Sequence, residues 1–128
     1  MTDRTPYAYA VLQVVPSIER GERINVGVVL FARARQFLSV RLDLDETRLH
    51  ALAPEIDVPA VRLMLESIRL IAEGNPLGGE IAMLPQHERF GWIAAPASTV
   101  VQPGPVHGGT CEVPEQELEE LFSRLVAR

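Results

Sequence analysis

"INVGVVLFA", residues 24–32, is apolar at almost every position and rich in β-branched side chains. A strand of that kind buries both of its faces, so it belongs in the middle of a sheet. Asn25 and Gly27 interrupt the run: an amide there fixes register or pins a neighbouring segment, and a glycine admits close backbone approach. Upstream, "YAYAVLQVV" (7–15) puts Ala8, Ala10, Leu12 and Val14 on one face and Tyr7, Tyr9, Val11, Gln13 and Val15 on the other. Downstream, "FLSVRLDL" (37–44) alternates, with Leu38, Val40, Leu42 and Leu44 inward and Ser39, Arg41 and Asp43 outward. The links "PSIERGER" (16–23) and "RARQ" (33–36) are short, which makes the three strands antiparallel neighbours in a meander.

Helical patterns follow. Asp43 or Asp45 can cap a short helix over 45–53 that Pro54 ends, and Asp57 can cap a longer one over 58–74. In the longer helix Val61, Met64, Leu65, Ile68, Ile71 and Ala72 repeat at helical spacing and form the buried face. Arg62, Glu66, Arg69 and Glu73 alternate in sign on the opposite, solvated side. Gly74 and Pro76 stop it. Residues 85–95 read as a short helix weakened by Gly91, and 98–102 as a fourth strand. Pro114 opens a last helix over 114–127, with Leu118, Leu121, Phe122, Leu125 and Val126 at helical spacing. Grouped strands followed by helices give an α+β fold. Its antiparallel sheet has three to four strands, with two main helices and one or two short ones packed on it. The two main helices are expected on one face of the sheet.

At 128 residues the chain is read as one domain, 1–128, large enough to bury a core without staples. Its N-terminal apolar run alternates and stops at Pro16, which suits neither a signal peptide nor a membrane span. One cysteine makes no internal disulfide, so a cytoplasmic location is the expectation. The formal charge of −5 speaks against non-specific nucleic-acid binding, which needs a basic face. All 12 basic residues are arginine. Without lysine there is no Schiff base, no pyridoxal-phosphate anchor and no P-loop ammonium.

The segment "VVQPGPVHGGTCE" (100–112) collects what reactive chemistry remains. Cys111 lies near a helix start, with His107 four residues upstream, and a thiol is activated by such neighbours. Against this, Gly108 and Gly109 loosen the intervening chain. Glu112, Glu115 and Glu117 raise a thiol's pKa, and no residue that would orient the imidazole is identifiable. His50, His87, His107 and Cys111 are too scattered for a metal site, and none is assigned. Gly104, Gly108 and Gly109 lack the spacing of a phosphate loop, and Pro103 and Pro105 remove two donors. No cofactor is expected. Arg89, Phe90 and Trp92 offer either an aromatic–arginine contact patch or a tryptophan that caps the core.

The order of "YAYAVLQVVPSIERGERINVGVVLF", "FLSVRLDLDETRLHAL" and "RFGWIAAPASTVVQPGPVHGGTCEVP" resembles a bacterial family known as domain of unknown function 3037, over residues 7–126. The most specific parts are Asn25 to Val28 and Arg89 to Cys111. The resemblance makes Asn25, Gly27, Arg89, Trp92, Ser98, Gln102, His107 and Cys111 family-motif positions. It implies no activity, and it implies a kinase-like protein of the persistence-toxin type, encoded nearby, as partner.

Two functions follow as expectations. The first is a non-catalytic binding or accessory module whose contact surface holds Arg89, Trp92, Ser98, Gln102 and His107. Here 100–112 is an ordered loop, and Arg89→Ala or His107→Ala folds normally while weakening association. The alternative is a small enzyme or ligand-binding domain that uses the 102–112 loop with Cys111 and His107.

Overall fold

A computed structural model describes residues 3–127. The described residues form an antiparallel sheet of β1 (Thr5–Val14), β2 (Ile24–Ala32), β3 (Phe37–Leu42), β4 (Val101–Pro103) and β5 (His107–Cys111). The helices are α1 (Glu46–Leu52), α2 (Val58–Glu73), α3 (Gln86–Ala94) and α4 (Pro114–Leu125). The sheet runs β3-β2-β1-β4, and β5 also pairs with β1. The α+β class and the opening meander are therefore as the residues indicate.

The caps show why the helices start and stop where they do. The Asp45 carboxylate accepts from the Arg48 N–H and the Asp57 carboxylate from the Ala60 N–H, each at 3.1 Å. Gly74 ends α2 in the left-handed region at φ 70°. On α2, Val58, Val61, Leu65, Ile71 and Ala72 are buried. Ile68 is only half-buried, and Met64, assigned to the core face above, sits at its edge with 38% exposure.

The two main helices cover opposite faces of the sheet, not one face as expected. Val61, Leu65 and Ile71 of α2 pack with Ala10, Leu12, Val14, Val26 and Val29. Leu118, Leu121 and Phe122 of α4 pack with Val28, Leu30 and Ala32, flanked by Tyr7 and Tyr9. The two-sided hydrophobicity of β2 is the physical cause, since each face needs its own cover. The face of β3 expected to meet solvent meets α4 instead. Arg41 forms an ion pair with Glu119 at 2.7 Å, and its guanidinium lies 4.7 Å from the Phe122 ring centre.

A bulge lets β2 serve both layers. Gly27 faces Leu12 and Asn25 faces Gln13 across the ladder, so Val26 has no partner on β1. The parity of inward residues shifts there, and Val26 and Val29, three positions apart, reach the same core. The Val26 carbonyl accepts from the Asp43 N–H at 2.7 Å, so the bulge leaves that oxygen satisfied. Asn25 turns to the other side, where its Nδ2 donates to the Leu125 carbonyl at 2.9 Å. The amide thus pins the end of α4.

Residues 100–112 are not a loop. β4 and β5 run side by side with β1 as one interrupted edge, and the fourth strand begins at Val101 rather than at residue 98. Leu12 pairs with Pro103 and Tyr9 with His107, so residues 104–106 stand opposite only two residues of β1. The Gly104 N–H still donates to the Val11 carbonyl at 2.7 Å. Proline has no N–H to give a ladder and is tolerated on an edge, which is where Pro103 and Pro105 lie.

Candidate functional site

On β5 the side chains of His107 and Cys111 fall on the same face, but four residues of strand separate their Cα atoms by about 13 Å. The structure does not bring the two together. His107 is exposed and leans on Tyr9, with ring centres 5.4 Å apart. Cys111 is 3% exposed, opposite Thr5. Burial pushes its thiol pKa up, the Glu117 carboxylate adds to the rise, and Arg35 and Arg4 offset part of it. A thiol held in its neutral form is a poor nucleophile. Among the described residues, no group of three or more His, Cys, Asp or Glu is placed to hold a metal ion.

Arg89 lies inside the fold. It is 9% exposed, and its Nη1 donates to the carbonyl oxygens of Ile71 at 3.0 Å and Ala72 at 2.9 Å. Its Nε donates to the Leu84 carbonyl at 2.8 Å. The guanidinium therefore closes the C-terminus of α2, whose last carbonyls have no partner within the helix. It offers no contact surface, and the expectation that Arg89→Ala folds normally is replaced by one of destabilisation.

With Arg89 directed inward, α3 presents Trp92 outward. Ile93 is 4% exposed, and Phe90 stacks on Phe31 with ring centres 5.3 Å apart. These contacts hold the helix to the α2 side of the sheet, and Trp92 remains 50% exposed. The chain then passes through Ala95, Pro96 and Ala97 to β4, where Thr99 and Gln102 fix the turn. The Thr99 hydroxyl donates to the Val101 carbonyl at 2.7 Å, and the Gln102 amide donates to the Thr99 carbonyl at 2.8 Å. Between α2, α3 and β4 lies a groove of about 460 Å³. Leu12, Ile68, Ile93 and Val101 form its floor, and Met64, Trp92, Pro96 and Pro103 its rim.

The residues expected to form one surface are thus divided. Trp92 and Gln102 line the groove, and exposed Ser98 lies between two residues that also line it, Ala97 and Thr99. His107 stands on the α4 side of the sheet with Tyr9, its cross-strand partner. Sequence reasoning missed Met64 and Ile68 as groove residues by giving them wholly to the core. Helical spacing alone gave no signal, since Met64 and Ile68 repeat in phase with the buried Val61, Leu65 and Ile71.

No curated protein and no solved structure matches the chain. A family match does exist, and it spans nearly every element described above, from β1 to the end of α4. Over residues 9–126 the chain belongs to the family described as Protein of unknown function (DUF3037).

Proposed function

We propose that this domain is a non-catalytic binding module that receives an apolar side chain of a partner protein in the groove beside Trp92. The observation that carries this reading is a half-exposed tryptophan on the rim of an apolar groove, with Met64 exposed across from it. Tryptophan anchors set in preformed apolar pockets supply a disproportionate share of binding energy at protein interfaces. The separation of His107 from Cys111 and the raised thiol pKa support the non-catalytic side of the proposal. The family resemblance names a kinase-like protein of the persistence-toxin type as the partner to try first, in the bacterial cytoplasm.

The test is co-purification of the tagged chain with that kinase-like protein, followed by affinity measurements on variants. Trp92→Ala is expected to weaken association by about 30-fold or more, as for an interface anchor, with an unchanged melting temperature. His107→Ala, on the other face, is expected to leave it unchanged. Full affinity in Trp92→Ala overturns the assignment of the groove.

A further inference from the structure

We propose that a second pocket, between the start of β2, α1 and the end of α4, binds a phosphate-bearing small molecule. Arg23, Arg48 and Arg124 come from three separate parts of the chain and line the same pocket of about 380 Å³. Among the described residues no Asp or Glu lines it, in a chain whose formal charge is −5. Arg4, Arg20, Arg41, Arg62 and Arg69 each form an ion pair with a glutamate, whereas among the described residues the three pocket arginines form none. Three cations gathered in one concavity without a described counter-charge raise the local potential and favour an anion. Guanidinium forks match phosphate oxygens in pairs, which makes phosphate the fitting chemistry.

The pocket is also held in shape before any ligand arrives. Arg23 donates from Nε to the Gly21 carbonyl at 3.2 Å and from Nη1 to the Gln13 side-chain oxygen at 3.3 Å. Gln13 in turn donates to the Asn25 side-chain oxygen at 3.0 Å, and Asn25 donates to the Leu125 carbonyl. This chain of bonds ties β1, β2 and α4 together around the pocket and lowers the ordering cost of binding. It also occupies one of the helix-end carbonyls that would repel an anion. The competing role for the arginines is to complement the negative end of the α4 dipole without any ligand. The pocket shares no lining residue with the Trp92 groove, so the two proposals stand or fall separately.

Titration of the full chain with sodium pyrophosphate at constant ionic strength, followed by NMR and calorimetry, separates these roles. Saturable binding of one equivalent is expected, with a shift of the Asn25 side-chain amide resonance. Arg48→Gln and Arg124→Gln are each expected to weaken it at least tenfold, while Arg62→Gln, whose arginine is paired with Glu46 outside the pocket, binds as before. A parallel titration with ADP shows whether the site also takes an organic group: tighter binding than pyrophosphate supports a nucleotide-like ligand, equal binding the phosphate alone. A response that never saturates, an unmoved Asn25 amide, or binding unaffected in both pocket variants overturns the proposal. Arg48→Lys keeps the charge and removes the fork, so it carries the test if a glutamine variant fails to fold.

Discussion

The guanidinium of Arg89 caps a helix to which it does not belong: its Nη1 donates to the Ile71 and Ala72 carbonyls at the end of α2. Removing it takes the donor from the Ala72 and Leu84 carbonyls, while the Ile71 carbonyl keeps only the Gly74 N–H at 3.1 Å. Arg89→Ala is therefore expected to lower stability by about 2–4 kcal/mol. Urea denaturation checks this, and a loss below about 0.5 kcal/mol would show that water takes over the bonds without penalty.

Two glycines should respond to alanine in opposite senses. At Gly27 a Cβ would sit 2.8 Å from the backbone oxygen of Arg41, which cannot swing aside without moving β3. Gly27→Ala is expected to cost about 1–3 kcal/mol. At Gly91, inside α3, a Cβ meets nothing within 4 Å. Gly91→Ala is expected to gain about 0.5–1 kcal/mol, because alanine loses less backbone freedom in a helix. Melting curves of the two variants decide the matter together, since a shared sign would contradict the packing at one site.

Tyr7 gives the fold a dependence on alkaline pH. Partial burial, then the hydrogen bond to Glu117 at 2.7 Å, push its pKa from 10.0 up to about 12. The folded state holds this proton more tightly than the unfolded chain does. The contribution to stability is therefore complete below pH 10 and disappears as pH rises towards 12. Tyr7→Phe lacks that term. Denaturation at a series of pH values should show the wild type losing stability faster than the variant above pH 10, and parallel curves would refute the assignment.

The parts of the fold legible in the sequence are those where one physical signal dominates. β1, β2, β3 and α2 follow from alternation, two-sided burial and capping, and Asp45, Asp57 and Gly74 act as their residue types indicate. Of the outer edge, the fourth strand was legible in part, as 98–102 against the observed Val101–Pro103, and β5 was not, because Pro103, Gly104, Pro105, Gly108 and Gly109 have poor strand propensity. Their pairing is imposed by β1. At Gly109 an added Cβ would lie 2.8 Å from the Tyr7 hydroxyl, so the glycine is required by that ring rather than by a turn. Arg89 misled for a related reason: nothing local distinguishes an arginine that binds outward from one that reaches back to a helix end. The candidate groove was half legible, through Trp92 and Gln102, and its remaining wall depended on how α2 and α3 come together.

The pairing of Thr5 with Cys111 has a consequence for how the chain is made. β1 leaves the ribosome first and can zip at once with β2, only a short link away. Its other edge stays open until β4 and then β5 follow, the Thr5–Cys111 pair closing a separation of 106 residues (111 − 5). Contacts this distant in sequence form slowly, and an unpaired strand edge is the part of a nascent chain most exposed to mispairing. Translation that stalls between Pro76 and Val101 would leave β1 able to recruit a strand from another chain. The vulnerable interval in the protein's lifetime closes only once β5, short and glycine-rich, has left the ribosome and paired.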